Sequence, residues 1–292
     1  MNGANKSKLS LILSMFIFGT IGIFRRYIPL PSSILAMARG AIGVVFLLVF
    51  MAVKKEKLGF REIKDKILLL CISGVAIGFN WILLFEAYNY TTVATATLCY
   101  YMAPVFVIIA SPFLFKEKLT VKKIICVIVA LVGMVLVSGV IETGFSGAGE
   151  LKGVLLGLGA AALYASVVLM NKKTAGVPAY TKTVIQLGSA AIVLLPYTML
   201  TENFAELTFE PLTIIMLLIV GVVHTGWSYA LYFGSMDNLK AQTVAIFSYI
   251  DPVVAIILSA LILNEKMSIF GVIGAVMVLG STMISELPSK KK

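Results

Sequence analysis

Four ionisable side chains stand inside long apolar runs of this sequence: Arg39, Glu86, His224 and Asp251. If those runs cross a membrane, a charged group within them is costly and usually faces a cavity or a partner. His224 is the only histidine, and the ordinary imidazole pKa of about 6.5 suits reversible proton binding. Asp251 immediately precedes Pro252, where a carboxylate could exchange protons as a cavity changes sides. The pattern therefore predicts proton or substrate chemistry within the bilayer.

Each of these groups also has a structural interpretation. His224 could be an interhelical hydrogen-bonding residue that never titrates, and Asp251 could cap the distorted backbone beside the proline. Glu86 could form an ion pair near the outer surface, and Arg39 could either anchor a substrate carboxylate or pair with Glu86. Lys182 stands at a predicted helix end, so we expect its ammonium to snorkel to the interface. The possible arginine partners of Glu86 are Arg25, Arg26 and Arg39.

Rings with polar tips recur near the middle of the apolar runs, whereas aromatic belts belong at the membrane surfaces. Such rings suit a cavity that stacks on a metabolite and offers it a few hydrogen bonds, although each single ring is equally consistent with packing. The predicted substrate-binding residues are Asn80, Trp81, Tyr100, Tyr101, Tyr164, His224, Trp227, Tyr249 and Arg39. The predicted proton-coupling residues are Asp251, His224 and Glu86.

Helical spacing arranges several of these groups on common faces. Residues three or four positions apart are neighbours on a helix, so His224 and Trp227 should lie side by side. Pro104 and Pro252 each remove an intrahelical hydrogen bond and should kink a helix, as hinges or as simple structural kinks. We expect two faces to oppose each other across the cavity: Thr97, Tyr100, Tyr101 and Pro104 on one helix, and Ser248, Tyr249 and Pro252 on another.

Composition identifies the setting of these groups. The 292 residues are 60% hydrophobic and 13% charged, with a mean hydropathy of +1.01, whereas soluble domains are about 45–50% apolar. The long unbroken runs predict an all-α integral membrane protein and exclude an outer-membrane barrel, whose strands would alternate. The net charge of +10 lies in short gaps between apolar runs, so it does not indicate nucleic-acid binding.

The apolar runs divide into ten predicted transmembrane helices, and the charges between them predict an orientation. If the N-terminus is cytoplasmic, the inside segments hold eighteen lysines and arginines and the outside segments four. By the positive-inside rule, both termini are predicted to be cytoplasmic. The predicted spans are 9–24, 33–53, 67–87, 92–115, 123–140, 152–170, 181–200, 211–235, 241–263 and 268–285.

The chain repeats itself after 148 positions, which predicts a duplication. Two matched segments, 91–120 and 239–268, carry the repeat, and the predicted units are residues 1–145 and 146–292. Five helices per unit is an odd number, so the second unit must be inverted relative to the first. Inverted repeats with a site between them are common in secondary transporters. The matched pairs are Thr95 with Thr243, Tyr101 with Tyr249, Pro104 with Pro252, Ser111 with Ser259, Glu117 with Glu265 and Lys118 with Lys266.

Motifs for other chemistries are missing from the sequence. The segment GVPAYTKT, which begins at Gly176, has Thr181 where a phosphate-binding loop needs its second glycine. No zinc-protease, serine-hydrolase or carboxylate-rich metal motif is present. Cys71, Cys99 and Cys126 lie in apolar runs without metal-ligand spacing. We therefore expect no metal, no cofactor and no catalytic residues, and we expect transport to draw on an ion or solute gradient.

The sequence resembles the drug/metabolite transporter superfamily, in its ten-helix EamA-type branch. The resemblance rests on APVFVIIASPFLFKEKLT and DPVVAIILSALILNEKMS, on the glycine-bearing helices after them, and on the tandem five-helix repeat. It implies a carrier in the bacterial inner membrane, usually an exporter of small metabolites, with a central cavity between the two halves. No motif of that family specifies the substrate.

We therefore expect a gradient-driven, proton-coupled exporter of amino acids or related amphipathic compounds. The alternatives are an importer or exchanger on the same fold and a multidrug or organic-cation exporter. An intramembrane enzyme using Asp251 and His224, and a non-transporting scaffold, are rivals of other classes. The expected partners are a small-molecule substrate and the lipid bilayer, without nucleic acid, and the protein would be a monomer or a homodimer.

Overall fold

A computed structural model describes residues 3–59, 63–91, 96, 99–138, 141, 149–262 and 268–286 of the chain. Within those ranges the backbone forms helices joined by short turns, without a strand. Thr95, Thr97, Glu265 and Lys266, which the sequence analysis singled out, lie outside the described residues. The helices are α1 (Gly3–Arg25), α2 (Ser32–Val53), α3 (Ile67–Tyr90), α4 (Ala103–Phe115), α5 (Val121–Ser138), α6 (Gly149–Lys173), α7 (Ala179–Thr201), α8 (Pro211–Asn238), α9 (Ala241–Phe247 and Ile250–Ile262) and α10 (Ile269–Glu286).

Six of the described helices, α1, α2, α3, α6, α7 and α8, are long and apolar enough to cross a membrane. Shorter apolar helices occur within α4, α9 and α10. Large apolar side chains face outward, such as Phe113 at 85% exposure and Leu200 at 87%. Because such surfaces belong in lipid, the chain is a multi-pass, all-helical membrane protein. The count of ten spans and the inverted repeat stay predictions.

Small residues let the helices approach one another closely around the centre of the molecule. A Cβ added to Gly19 of α1 would lie 2.7 Å from the backbone oxygen of Asp251 in α9. A Cβ on Gly43 of α2 would lie 3.1 Å from the backbone nitrogen of Gly226 in α8. A Cβ at Gly19 would force a neighbour to move, and one at Gly43 would be tighter than most real contacts. Close backbone approach is how helices pack in lipid. These contacts fix α1 against α9 and α2 against α8.

Helix α8 is not regular along its length. It is α-helical over Pro211–Ile219, π-helical over Val220–Trp227 and α-helical again over Ser228–Ser235. The hydroxyl of Thr225 donates to the backbone oxygen of Val220 at 3.0 Å, five residues earlier. A π-helical turn is rare and often accompanies a functional site. Here it includes His224, one of the predicted site residues.

Candidate substrate cavity

A turn lies just before Pro104, at the start of α4, and another just before Pro252, within α9. A turn at Tyr101–Met102 precedes α4, and a turn at Ser248–Tyr249 divides α9. Pro104 therefore lies in the first turn of α4, and Pro252 is the third residue of Ile250–Ile262. The disruption expected at each proline is therefore present as a short break two to four residues before it, where the proline ring crowds the preceding turn and the missing N–H group removes a hydrogen bond. The hinge roles of Pro104 and Pro252 stay predictions.

A small cavity of about 30 Å³ lies beside both turns. It has room for about two water molecules, since one needs at least roughly 10–15 Å³. Its polar lining brings together three predicted tyrosines and Asp251, one of the two predicted proton-coupling acids. The lining residues are Met15, Tyr100, Tyr101, Ala103, Pro104, Tyr164, Ser248 and Asp251. We call this space the tyrosine cavity.

Tyrosine rings extend from this cavity into α8. The hydroxyl of Tyr164 donates to the hydroxyl of Tyr232 at 2.6 Å, and the two rings are nearly parallel, with centroids 6.5 Å apart. The ring of Tyr100 lies 5.5 Å from Tyr164 and 5.9 Å from Tyr101, again between centroids. Tyrosine combines a flat apolar face with a hydroxyl group. The wall can therefore both stack on a ligand and hydrogen-bond to it.

A second polar group lies between α2 and α3. The guanidinium carbon of Arg39 is 4.7 Å from the ring centre of Trp81, within cation–π range. Trp81 in turn lies edge-on to Tyr229, with centroids 6.4 Å apart. The Nε atom of Arg39 is buried and has no hydrogen-bond partner among the described residues. A buried donor of this kind is available to an acceptor on a ligand.

Glu86 has uncharged partners in this structure. Its carboxylate accepts hydrogen bonds from the hydroxyl of Tyr197 at 2.6 Å and from the side-chain amide of Asn89 at 3.4 Å. Arg25, one possible ion-pair partner, instead donates to two backbone carbonyls beyond α1. Arg39, another, lies against an aromatic ring. Glu86 is therefore held by hydroxyl and amide donors outside the tyrosine cavity.

The structure separates His224 from Trp227. The Nε2 atom of His224 lies 2.8 Å from the hydroxyl oxygen of Thr20 in α1, whereas the Trp227 ring packs 5.5 Å from Phe50 in α2. The expected shared face is wrong, because a π-helical turn holds more residues than an α-helical turn and rotates residues three apart away from each other. His224 makes the interhelical contact that was one of its two interpretations. A role in proton transfer stays a prediction.

Asn80 and Tyr249 both lie in helix packing. The side-chain amide of Asn80 donates to the backbone oxygen of Ala160 at 2.6 Å and so joins α3 to α6. Tyr249 is fully buried among apolar residues of α5 and α10, and its hydroxyl has no partner within the described part of the chain. From α9, Ser248 and Asp251 line the tyrosine cavity instead. The predicted faces of the two helices therefore meet: the cavity brings Tyr101 and Pro104 together with Ser248, and Tyr101 also packs against the apolar cluster that contains Tyr249.

A hydrogen-bonded cluster joins the segment after α4 to the start of α9. The carboxylate of Glu117 accepts hydrogen bonds from the backbone N–H groups of Ala241 at 2.9 Å and Gln242 at 3.3 Å. The side chain of Gln242 donates to the hydroxyl of Ser111 at 2.8 Å and accepts from the ammonium of Lys123 at 2.8 Å. These bonds satisfy N–H groups that the first helical turn leaves free. We call these five residues the Glu117 clamp.

The turn before α9 is held from its other side by two lysines. The ammonium of Lys182 is fully buried and lies 2.9 Å from the carboxylate of Asp237. Lys172 donates to the backbone oxygens of Met236, at 3.1 Å, and Leu239. The expected snorkelling of Lys182 is wrong, because its ammonium is fully buried and the partly exposed Asp237 carboxylate provides the partner that water would provide at the surface.

Sequence reasoning missed several residues of the site, and only one of them had a local signal. Tyr232 follows Tyr229 by three positions, so the rule of shared helix faces could have identified it. Thr20 and Gln242 gave no such signal, because their partners lie 204 and 131 positions away in the chain. Among the described residues, no three His, Cys, Asp or Glu side chains lie close enough to hold a metal ion.

Comparison with known proteins agrees with this architecture. The chain is 31% identical to "Uncharacterized transporter YxxF" of Bacillus subtilis over 95% of its own length and 88% of that protein. It is 24% identical to "Protein RarD" of Escherichia coli over 90% of this chain and 88% of that one. One solved crystal structure, whose description names no function, covers 98% of the chain with a TM-score of 0.86 at 17% identity. The last likeness shows the fold alone.

A family model identifies the protein family to which the chain belongs. It matches the chain twice, at residues 5–139 and again at 151–286, and it describes the EamA-like transporter family. Together the two matches cover most of the sequence, and the relative from Bacillus subtilis carries the same general description. The chain is therefore a membrane transporter that belongs to the EamA-like transporter family.

Proposed function

We propose that this protein is a secondary active transporter that exports amino acids or related amphipathic compounds in exchange for protons. The observation that carries the proposal is the tyrosine cavity, where Asp251 stands among Tyr100, Tyr101 and Tyr164 beside the turn before α4 and the turn within α9. Stacking faces, hydroxyls and a carboxylate are the groups that a small amphipathic ligand needs. They come from both predicted halves of the chain, as expected for a central site.

Proton coupling would follow from competition for Asp251. If the carboxylate binds either a proton or the ammonium group of an amino acid, the two cannot occupy it together. A difference in these affinities between inward-open and outward-open states then links the two fluxes. His224 and Glu86 are secondary candidates, because their described partners are hydroxyl and amide groups outside this cavity. Arg39, with its free Nε atom, is a candidate anchor for the ligand carboxylate.

The small size of the cavity supports alternating access as the mechanism. About 30 Å³ is far less than the roughly 300 Å³ at which ligand pockets begin. Helices must therefore separate before a metabolite can bind. In the orientation that we propose, with both termini on the cytoplasmic side of the bacterial inner membrane, the Glu117 clamp closes the cytoplasmic end. Movement of the two inverted halves would break the clamp and open the cavity to that side.

An organic-cation or multidrug exporter is the second candidate. The observation that favours it is the same carboxylate surrounded by aromatic rings, because such rings attract cations. An importer or exchanger would use the same site with opposite gradients. These functions share the cavity and differ in the ligand and in the direction of flux.

A ligand screen tests the proposal. The purified protein would be heated with amino acids, nucleobases, sugars and organic cations at pH 6 and pH 8, because a ligand that binds the folded state raises its apparent stability. We expect amino acids to raise the unfolding temperature more at pH 8 than at pH 6, where protons compete. Stabilisation by organic cations alone would establish the second candidate.

A flux assay would then test the coupling. The best ligand would be loaded into proteoliposomes with a pH gradient across the membrane. Efflux that is accelerated by external acid supports proton-coupled export. A hit without gradient-driven flux would contradict it.

A further inference from the structure

A second and much larger cavity lies away from the tyrosine cavity. It has a volume of about 500 Å³ and opens between the first turns of α1, the segment after α2, the start of α7 and the second half of α8. This volume falls within the usual range for a small-molecule site, about 300–1,000 Å³. Trp227, predicted from sequence to contact the transported substrate, lies here. We call this space the Trp227 cavity.

Two opposite charges from different parts of the chain line this cavity. Lys6 contributes an ammonium group from α1, and Glu56 contributes a carboxylate from the segment after α2. The hydroxyl of Ser10 lies one helical turn beyond Lys6 on the same lining. An ammonium and a hydroxyl together suit a phosphate group, whereas a carboxylate suits a second ammonium. The charged lining therefore fits a zwitterion that carries both groups.

An aromatic wall completes the site. Trp227 and Tyr180 line the cavity, and both pack on Phe50, with centroid distances of 5.5 Å and 5.3 Å. Exposed aromatic faces next to a carboxylate attract an ammonium ion through cation–π contact. Aromatic rings with polar tips are also typical of the membrane interface. The wall stands where the ammonium end of a zwitterion would meet Glu56.

The surface beside this lining is apolar. Leu9 and Leu13 of α1 lie three residues from Lys6 and Ser10, so they are neighbours on the helix, and they are 57% and 46% exposed. On α2, Val49 and Val53 are 57% and 74% exposed, next to the segment that carries Glu56. Apolar stripes that lead away from a charged site suit acyl chains. A soluble headgroup compound without acyl chains would leave these apolar side chains uncovered.

We propose that the Trp227 cavity binds the headgroup of a phospholipid that carries a primary ammonium, such as phosphatidylethanolamine. The lipid phosphate lies against Lys6 and Ser10, its ammonium lies between Glu56 and the aromatic wall, and its acyl chains follow the apolar stripe of α1. Trp227 thus contacts a resident lipid instead of the transported metabolite. The site is separate from the tyrosine cavity, so the lipid proposal does not depend on the identity of the transported compound.

The two tryptophans of the chain make this testable by fluorescence. Trp81→Phe leaves Trp227 as the single reporter, and this full-length variant is placed in phosphatidylcholine vesicles. Lipids with brominated acyl chains and ethanolamine, choline or glycerol headgroups are then added in rising proportion. We expect the ethanolamine lipid to quench at about fivefold lower mole fraction than the other two, the effect of one charge contact at a membrane surface. Equal quenching by all three headgroups would overturn the proposal.

Charge variants and a soluble competitor sharpen the test. Lys6→Gln and Glu56→Gln, both at exposed positions, should remove the preference, whereas Lys64→Gln, exposed but outside the cavity, should keep it. A preference that survives both cavity variants contradicts the site. Free phosphoethanolamine that relieves quenching as well as an equal concentration of unbrominated lipid would overturn the lipid assignment. If Trp81→Phe folds poorly, the difference between the unmodified chain and Trp227→Phe reports the same signal.

Discussion

The tyrosine cavity and the Glu117 clamp both lie where α4 and its following segment meet α9, yet they use polar groups in opposite ways. In the clamp, Glu117 and Gln242 bind several named donors and acceptors at once. In the tyrosine cavity, hydroxyls and Asp251 line an internal space that has room for little more than water. A saturated cluster stabilises one arrangement of the helices. A polar cavity keeps hydrogen-bonding capacity for a ligand.

From this contrast we infer different tasks for the two regions: the Glu117 clamp holds the helices together, and the tyrosine cavity binds the ligand. A transporter must hold one side closed while the other opens, and the closed side needs bonds that break together. It must also bind a ligand without a permanent partner competing for the same groups. If the division is right, substitutions in the clamp region should alter stability or the balance between conformations. Those in the cavity should alter coupling and affinity.

The ion pair behind the clamp should give the largest effect on stability. Asp237→Ala leaves the fully buried Lys182 ammonium without its carboxylate, and because the Asp237 side chain is itself 25% exposed, the cost should lie below the roughly 3 kcal/mol of a fully buried pair. We expect a clear fall in the thermal unfolding temperature in detergent. Asp65→Ala, at an exposed position, is the matched control. A fall no larger than that of the control would show that the pair does not support the turn before α9.

Breaking the clamp itself should shift the conformational balance. Glu117→Ala removes two hydrogen bonds from the start of α9, which we expect to weaken the closed state by about 2 kcal/mol, or roughly 30-fold. A cysteine introduced at Ser248, in a chain without its native cysteines, would report this as faster maleimide labelling from the proposed cytoplasmic side.

Two controls accompany that experiment. Glu117→Gln keeps one acceptor and should give an intermediate labelling rate. Lys118→Ala changes an exposed neighbour and should leave the rate unaltered. If Glu117→Ala labels no faster than the parent, the clamp does not close the path to the cavity.

Within the cavity, Asp251→Asn should uncouple transport from protons. One proton exchanged per substrate gives about tenfold accumulation per pH unit, since one unit equals about 1.4 kcal/mol. Acid outside drives protons inward and substrate outward, so the parent should show faster efflux and the variant should not. Exchange of substrate without a gradient should need a higher substrate concentration in Asp251→Asn, because the charge that binds the ligand ammonium is lost, and it should no longer depend on pH. Glu86→Gln, whose carboxylate is held by Tyr197, should remain coupled, and loss of coupling there would move the proton site to α3.

Sequence patterns predicted the helices well because apolar length alone defines a membrane-spanning segment. Helix α2 spans Ser32–Val53, where the hydrophobic run predicts 33–53. The chemistry-bearing tyrosines of the cavity were also found, because polar rings inside apolar runs are unusual. Trp227 lines a different cavity from the predicted tyrosines, in a segment of α8 that is π-helical, where the spacing rule for a regular α-helix does not apply.

Long-range partners lie beyond this kind of prediction. The hydrogen bond between Lys123 and Gln242 joins residues 119 positions apart, and no sequence pattern within either segment indicates it. The same holds for the buried Lys182, which spacing placed at an interface. Periodicity reports which face of a helix is apolar, whereas the pairing of polar groups depends on how the helices turn toward one another. The repeat register shows the same limit, because it matches Tyr101 with Tyr249 although only Tyr101 lines the tyrosine cavity.

That matched pair provides the smallest and most specific test. Tyr101 lines the cavity, so Tyr101→Phe should weaken binding of the best screened ligand by about 1 kcal/mol, or roughly fivefold. Tyr249 is buried with a hydroxyl that has no partner among the described residues. Tyr249→Phe removes a desolvated polar atom and should therefore leave affinity unchanged and stability equal or slightly higher. The ligand dependence of the unfolding temperature measures both effects.

Equal losses of affinity in the two variants would show that Tyr249 reaches the ligand in another conformation. The division between cavity residues and packing residues would then hold for only one state of the transport cycle.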